Sequence, residues 1–492
     1  MDNLKKYFEK VKEENRDSEA IAFYAAIDSI AKVYPQIAED ILKELDDQRS
    51  NLKLIASENY TSLAVQLAMG NLLTDKYSEG YVHHRFYAGC ENVDNIEQLA
   101  IDEAKKLFNA EHVYVQPHSG ADANIVAFWS ILVQKVQNKE VEKLSKKTAM
   151  ELTDEEYEKV RQLLVNQKIM GMSLNSGGHL THGYRLNISS KFMRSYSYDV
   201  DSKTHLLDYK ALEKQVKEVK PLILLAGYSA YSRKLNFAIL KEIANSVGAV
   251  LVVDMAHFAG LVAGKVFTNE FDPVPFADIV TSTTHKTLRG PRGGLILCKE
   301  EFKETIDKGC PLVLGGPMPH VMAAKAIAFK EANTLDFQNY SSQIVKNAKA
   351  LAEALMKKGI KILTDGTENH LIMMDVYSSF KLTGRQAESL LRDVHITVNR
   401  NSILADVNGP WYTSGIRLGT PALTTLGMKE GEMKQIAEVI YDTLKNAKPA
   451  INPKTNKPSK AKADVDTAIL VENQNEIKNI LSNFQLYSQL NI

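Results

Sequence analysis

Cysteine is nearly absent from this chain: there are 3 among 492 residues, Cys90, Cys298 and Cys310. They are too few and too scattered for a disulfide scaffold or a cysteine-based zinc site, and they imply a reducing cytoplasm. An excess of either charge is absent as well, because Lys and Arg total 60 and Asp and Glu total 60. A chain without net charge has no global attraction to nucleic acid or to an anionic membrane. No apolar run reaches membrane-spanning length, and the opening Met1-Asp2-Asn3-Leu4-Lys5-Lys6-Tyr7 lacks the apolar core of a signal segment. What the chain does have is bulk: 44% hydrophobic residues at this length suffice for more than one core.

Its organisation follows from periodicity. Residues 1–50 place Ile37, Ile41, Leu42 and Leu45 at helical spacing among charges, which predicts a helical arm. Residues 51–310 alternate strand-like and helix-like segments, which predicts a large α/β domain with a mostly parallel sheet. Residues 311–447 suggest a smaller α+β domain, with helices near Val321–Glu331, Gln343–Met356 and Met433–Leu444 and strand candidates near Ile360, Leu371, Ile396 and Ile416. A charged stretch, 138–170, interrupts the large domain after a helix ending near Val136. Within it, Thr153-Asp154-Glu155-Glu156 reads as a capping box opening a helix through Val165. That stretch is either a solvated helical excursion or a partner-docking element. Residues 448–492 read as a Pro- and Lys-rich mobile linker through Lys460, followed by an amphipathic helix carrying Ala468, Ile469, Val471, Ile477, Ile480 and Leu481.

The chemistry concentrates at strand ends. Ile279-Val280-Thr281-Ser282-Thr283 is a β-branched run, so Lys286 lies just past the carboxyl end of a buried strand, where open α/β sheets bind ligands. A lysine there either forms a Schiff base with a carbonyl cofactor, pyridoxal 5′-phosphate being the commonest, or serves as a plain phosphate-binding or surface cation. The apolar run Val250-Leu251-Val252-Val253 ends in Asp254, a carboxylate that a buried strand does not need. Such an acid keeps a pyridinium nitrogen protonated, or else caps the following segment. Two more strands end before Tyr228-Ser229 and before His118-Ser119-Gly120-Ala121. The latter opens an apolar helical pattern from Ile125, so Ser119 and Gly120 sit at a helix N-terminus that either holds a phosphate or is a simple serine cap.

Seven blocks in order then carry a resemblance. They are Leu54-Ile55-Ala56-Ser57-Glu58-Asn59-Tyr60, Lys76-Tyr77-Ser78-Glu79-Gly80-Tyr81, Gln116-Pro117-His118-Ser119-Gly120, Gly177-Gly178-His179-Leu180-Thr181-His182-Gly183, Val253-Asp254-Met255-Ala256-His257, Thr283-Thr284-His285-Lys286-Thr287 and Ser414-Gly415-Ile416-Arg417-Leu418-Gly419-Thr420-Pro421-Ala422. Over roughly residues 50 to 445 the chain resembles the serine hydroxymethyltransferase family of fold-type I pyridoxal phosphate enzymes.

The resemblance implies a seven-stranded, mostly parallel sheet and transfer of the hydroxymethyl group of serine to tetrahydrofolate, leaving glycine and 5,10-methylenetetrahydrofolate. It implies Lys286 as the cofactor lysine, Asp254 on the pyridinium, His179 over the ring, and Ser229 and His257 near the ring's 3′ oxygen. Ser119 and Gly120 are implied as phosphate ligands, joined by Gly315 and Gly316 of a second copy. Arg417 is the implied carboxylate clamp, a role that a planar fork suits, with Ser57 and Tyr77 as further substrate contacts. Glu79 is the implied proton-transfer group, and Tyr87 and His285 join it as catalytic positions. Leu174, Gly178, His179 and Leu180 would lie beside the folate, with Asn401, Asn408, Gly409 and Pro410 reaching its pterin.

Because Tyr77, Glu79 and Gly315 would come from a partner, a homodimer or homotetramer is expected. The chain departs from many relatives at Ala121, at Val82-His83-His84-Arg85-Phe86 and at Asn175-Ser176, which bear on phosphate, local and folate contacts respectively. His179 and His182 invite a metal reading, but no cysteine or carboxylate stands near them in sequence, so no metal is expected. Folate-independent aldol cleavage, alanine racemisation and a non-enzymatic scaffold are the competing functions.

Overall fold

The computed structural model describes residues 2–453 and 456–490. Lys454 and Thr455, within the expected linker, lie outside the described residues. Its centre is a seven-stranded sheet built from β1 (His112–Tyr114), β2 (Lys168–Met172), β3 (Arg194–Tyr198), β4 (Ile223–Gly227), β5 (Val250–Asp254), β6 (Ile279–Thr283) and β7 (Gly294–Cys298). The spatial order is β1-β7-β6-β5-β4-β2-β3. All neighbours run parallel except β7, which is antiparallel to both β6 and β1. Only ten residues separate β6 from β7, enough for a turn and too few for a parallel crossover.

The uninterrupted apolar runs of the central strands follow from burial on both faces. Side chains alternate across the sheet. Leu224, Ala226, Leu251, Val253 and Val280 therefore point into one core, and Ile223, Leu225, Val250, Val252 and Ile279 into another. Register places Gly227 beside Asp254 and Asp254 beside Thr281, so three strand ends open onto one edge.

A third core gathers Ile372 and Met374 of β8 (Leu371–Asp375), Ile416 and Leu418 of β10 (Gly415–Gly419), and the helices Leu335–Lys357, Glu430–Lys445 and Thr467–Ser482. Between β8 and β10 in sequence, β9 (Asn399–Asn401) pairs with β10. Ile396 pairs with Leu52, tying this layer to the start of the main fold. Ile360 lies outside any strand; only Ile362 makes an isolated bridge, to Met374. The helix Pro319–Ala332 packs on Glu91–Phe108 and sends Met322 and Phe329 into the core beneath the sheet, although the sequence assigns it to the smaller set.

Three expectations about the excursions change. The helix expected to end near Val136 is α-helical through Leu132, makes a π turn over Val133–Gln137 and resumes as Asn138–Lys143. The capping box at Thr153 and Glu156 does open Asp154–Val165, but Lys168–Met170, counted with the charged stretch, belong to β2. The expected mobile linker contains a hairpin, β11 (Lys448–Asn452) paired with β12 (Lys457–Asp464). Gln386 Nε2 donates to the carbonyls of Ser459 at 2.6 Å and Lys462 at 2.9 Å, and Thr383 Oγ1 donates to that of Lys460 at 2.7 Å. The last helix buries Ile477, Ile480 and Leu481, while Val471 is 49% exposed.

The arm folds as Asn3–Lys10, Ser18–Val33 and Pro35–Ser50. Tyr7, Ala20 and Tyr24 close on Leu63 and Leu490, and Arg49 donates to the carbonyls of Leu486, Tyr487 and Leu490. Val33, Tyr34 and Ile37 remain exposed on it. No helix among the described residues is long and apolar enough to cross a membrane.

Candidate active site

The edge formed by β4, β5 and β6 opens into a cleft of ≈ 480 Å³. It brings together Ser57, Ser119, Gly120, His179, Ser229, Asp254, His257, His285, Lys286 and Arg417, all picked out from the sequence. Ala121 and Arg292 also line it.

Lys286 sits in the turn between β6 and β7. That turn is closed by the Gly290 amide donating to the Thr284 carbonyl at 2.7 Å and the Thr284 amide donating to Gly293 at 3.1 Å. Asn59 Nδ2 donates to the Lys286 carbonyl at 2.9 Å, and Thr287 Oγ1 donates to His257 at 2.8 Å. Among the described residues no acid lies within 4.0 Å of the Lys286 ammonium. Burial, reinforced by Arg417 and Arg292, outweighs the pull of Asp254 and draws the Lys286 pKa down to about 8.

Asp254, the last residue of β5, is nearly surrounded by donors. Its Oδ2 accepts from Asn124 Nδ2 and His182 Nε2, both at 3.0 Å, and its Oδ1 accepts from the Ala256 amide at 3.1 Å. The His179 amide donates to His182 Nδ1 at 3.3 Å, which leaves the His182 proton on Nε2, facing the carboxylate. Burial alone would raise the Asp254 pKa. The His182 hydrogen bond, with the nearby Lys286 charge, instead holds it well below the usual carboxylate range. The Asp254–His182 contact also corrects the sequence reading: a carboxylate does stand beside these histidines in space. No group of three or more metal-ligating side chains occurs among the described residues.

The other imidazoles are kept neutral. Burial first, and neighbouring cations next, bring His285 to about 3; burial likewise brings His179 to about 4. His257 is also pushed down by burial, and its Nδ1 lies 3.2 Å from His370 Nε2. Arg417 projects from β10, with Nε donating to Asn399 Oδ1 at 3.1 Å and Nη1 to the Ser229 carbonyl at 2.5 Å. Both acceptors are neutral, so its positive charge faces the cleft uncompensated, although burial lowers its pKa to about 10.

Ser119 caps the helix Gly120–Leu132, its Oγ accepting the Asp122 amide at 3.1 Å. Gly227 has φ +117°, and a Cβ there would fall 2.1 Å from the Asp254 carbonyl oxygen. Gly227→Ala is therefore expected to cost about 2–5 kcal/mol of stability, combining left-handed strain with a backbone clash. Chemical denaturation checks this; a change below about 0.5 kcal/mol contradicts it.

A second group stands apart. Tyr77, Glu79, Tyr87, Gly315 and Gly316 do not line the Lys286 cleft of their own chain. The Tyr77 and Tyr87 rings meet edge to face at 5.1 Å, and a Cβ on Gly316 would fall 2.9 Å from the Tyr77 ring. Tyr77 and Tyr87 are 55% and 49% exposed. Arg85, within the segment Val82–Phe86, anchors this loop. It donates to the carbonyls of Ser78 at 3.0 Å and Gly80 at 2.9 Å, and pairs with Asp94 and Glu97.

The expected folate positions fall in two segments, 174–180 and 401–410. Leu174 and Leu180 are exposed on either side of the buried Gly178. Asn401 donates to the Ser402 carbonyl at 2.7 Å, Asn408 donates to Ser414 Oγ at 3.1 Å, and Gly409 and Pro410 open a one-turn helix. A narrow gap lined by Asn175, Ser176 and Ser402–Leu404 separates the two segments.

Sequence reasoning did not find Asn124, His370 or Arg292, nor the role of His182 on Asp254. Asn124 and His182 lie within or beside quoted blocks, but their partner is 130 and 72 residues away.

A model described as serine hydroxymethyltransferase matches residues 30–147 and 155–440, so only 148–154 of the charged stretch escapes it. The chain is 57% identical over 470 residues to a serine hydroxymethyltransferase of Treponema pallidum (strain Nichols), covering 96% of this chain and 82% of that one. It is 52% identical over 473 residues to that of Cutibacterium acnes (strain DSM 16379 / KPA171202), 96% of each chain. It is 51% identical over 491 residues to that of Chlamydia trachomatis serovar D, covering 99% and 98% of the two chains. With a strand-end lysine and carboxylate facing one cleft, and these matches running through both, the chain belongs to the serine hydroxymethyltransferase family.

Proposed function

We propose that this cleft transfers the hydroxymethyl group of serine to tetrahydrofolate, giving glycine and 5,10-methylenetetrahydrofolate. The observation that carries the reading is the pairing of Lys286, drawn toward neutrality, with Asp254, held anionic, at adjacent strand ends of one cleft.

The donor set fits pyridoxal 5′-phosphate: a buried amine for its aldehyde, an anionic carboxylate for its ring nitrogen, and a helix N-terminus at Ser119–Gly120 for its phosphate. When bound, that cofactor supplies an aldehyde and a cationic ring that draws electrons from bonds to an amino acid's α-carbon.

Lys286 offers the uncharged amine. Asp254 keeps the proton on the ring nitrogen, and His182, Asn124 and the Ala256 amide keep Asp254 anionic. His179, Ser229 and His257 line the ring's surroundings, the imidazoles neutral so that they do not compete for charge. Arg417 grips the serine carboxylate bidentately and fixes which bond faces the ring, with Ser57 beside it. His285 borders the lysine. Leu174, Gly178, His179 and Leu180 receive the folate, and Asn401, Asn408, Gly409 and Pro410 reach its pterin.

Glu79 moves the proton, with Tyr77 and Tyr87 contacting substrate and Gly315 and Gly316 the phosphate, each given by one copy to the cleft of another. What supports this is that none of them lines the cleft of its own chain and that two tyrosines are exposed. The protein therefore acts as at least a dimer. Light scattering should find no active monomer, and a fully active monomer would refute the shared site. We place it in the cytoplasm, consistent with three cysteines that are all free and buried.

Purified protein given pyridoxal phosphate, serine and tetrahydrofolate should release glycine, and omitting tetrahydrofolate should suppress release at least tenfold. Equal rates with and without it would favour folate-independent aldol cleavage instead. Cofactor bound without any serine turnover would reject the transferase reading.

A further inference from the structure

Lys325 is the most buried cation of the fold that the reaction leaves unused. It is 1% exposed, on the helix Pro319–Ala332, and no carboxylate lies within 4.0 Å of it among the described residues. Its Nζ donates to three carbonyls: Val115 at 2.5 Å, Gly294 at 2.8 Å and Pro117 at 3.0 Å. Three acceptors match the three N–H groups of an ammonium and leave none unpaired. Burial draws this amine down to about 7 while Glu97 and Asp122 work the other way; the carbonyl cage favours the protonated form.

The three carbonyls matter because of where they lie. Val115 and Pro117 follow β1 and lead into Ser119–Gly120, and Gly294 begins β7 after the Lys286 turn. The Gly294 amide donates to the Pro117 carbonyl at 2.8 Å, and a Cβ on Gly294 would fall 2.2 Å from the Ser119 carbonyl oxygen. A Cβ on Gly293 would fall 2.5 Å from Lys325 Cε. One ammonium therefore stitches together the two segments that flank Ser119, from behind the cleft.

We propose that Lys325 is a positioning residue for an anion cradle: by tying Val115, Pro117 and Gly294 it holds Ser119 and Gly120 toward the cleft and places a cation behind them, so that the site prefers a phosphorylated ligand. The proposal rests on the reading of Ser119–Gly120 as the phosphate site. Its mark is selectivity, since loss of a merely structural lysine would weaken every ligand alike.

The test titrates the full-length purified protein with pyridoxal 5′-phosphate and with pyridoxal, following the absorbance each develops, and repeats this for Lys325→Met, Lys325→Gln and Ser119→Ala. Melting temperatures are recorded for each. Lys325→Met is expected to bind pyridoxal phosphate about tenfold or more weakly, with pyridoxal changed less than about threefold, and inorganic phosphate should compete less well. Lys325→Gln keeps two N–H donors without the charge and carries the test if the Met variant does not fold. Gly293→Ala, whose Cβ displaces the Lys325 chain, is a third and milder perturbation with the same expected selectivity. Equal weakening of both ligands, or no change in either, overturns the proposal. If Ser119→Ala loses the preference for phosphate and the Lys325 variants keep it, the cradle stands and the role of Lys325 falls. If the unaltered protein binds both ligands equally, the cradle reading and this proposal fall together.

Discussion

Replacing Lys286 with alanine is expected to lower serine turnover by about 10⁴-fold or more and to abolish the visible absorbance that pyridoxal phosphate develops with the unaltered protein. Burial, with Arg417 and Arg292 nearby, brings the Lys286 amine to about 8 from an ordinary 10.5. At pH 7.5 roughly a quarter of it is then uncharged, against roughly one part in a thousand for an ordinary lysine. The rate at which colour develops should rise with pH about a midpoint near 8, and a midpoint above 10 would contradict this assignment.

The same shift has a stability consequence of definite sign. A lysine whose folded pKa lies below its unfolded value destabilises the fold fully below pH 8, and the penalty fades as pH climbs from 8 to 10.5. Lys286→Ala removes that penalty. The variant should therefore melt no lower than the parent at pH 7, which separates lost chemistry from lost structure. Retained colour together with turnover within tenfold of the parent would remove Lys286 from the centre of the reaction.

Lys286 was legible in the sequence because two simple signals coincide: a β-branched run that must be a buried strand, and a lysine just beyond it. Asp254 was legible for the same reason, as an acid ending the run Val250–Val253. The central strands stand out because both faces are buried and, up to the terminal Asp254 of β5, their positions carry apolar residues or glycine. At the sheet's edge that signal fails. In β3, Arg194, Tyr196 and Ser197 are exposed, so Arg194–Tyr198 does not look like a strand in sequence.

Direction is hidden too. Gly294–Cys298 has the composition of its parallel neighbours, and only the short turn from Thr284 to Gly293 makes it antiparallel. The hairpin over 448–464 was hidden by its Pro and Lys content, and the side chains that tie it to the fold, Gln386 and Thr383, lie some seventy-five residues away. Sequence pattern sees a residue's own burial far better than its distant partner. For this reason the cleft's own residues could be named, whereas the donors that set the charge of Asp254 could not.

Those donors make Asp254→Asn the second large effect, with a signature opposite to that of Lys286→Ala. An amide has the carboxylate's shape but replaces one acceptor oxygen with an NH₂ donor. Every neighbour of Asp254 is a donor: Asn124 and His182 face Oδ2, and the Ala256 amide faces Oδ1. Either amide orientation therefore sets donor against donor. His182 cannot relieve this by moving its proton to Nδ1, because Nδ1 accepts the His179 amide. Asn124 is likewise fixed, its Oδ1 accepting from Thr281 Oγ1 at 2.6 Å. The mismatch should cost about 1–3 kcal/mol of stability, measurable by denaturation. The larger loss is chemical. A neutral amide cannot hold a proton on the ring nitrogen as an anion does, and turnover should fall by about 10³-fold. Lys286 is untouched, so the variant should still develop colour with pyridoxal phosphate while failing to turn serine over. Colour lost along with turnover would mean that Asp254 serves binding alone, and turnover within threefold of the parent would mean that the ring-nitrogen charge is set by some other group.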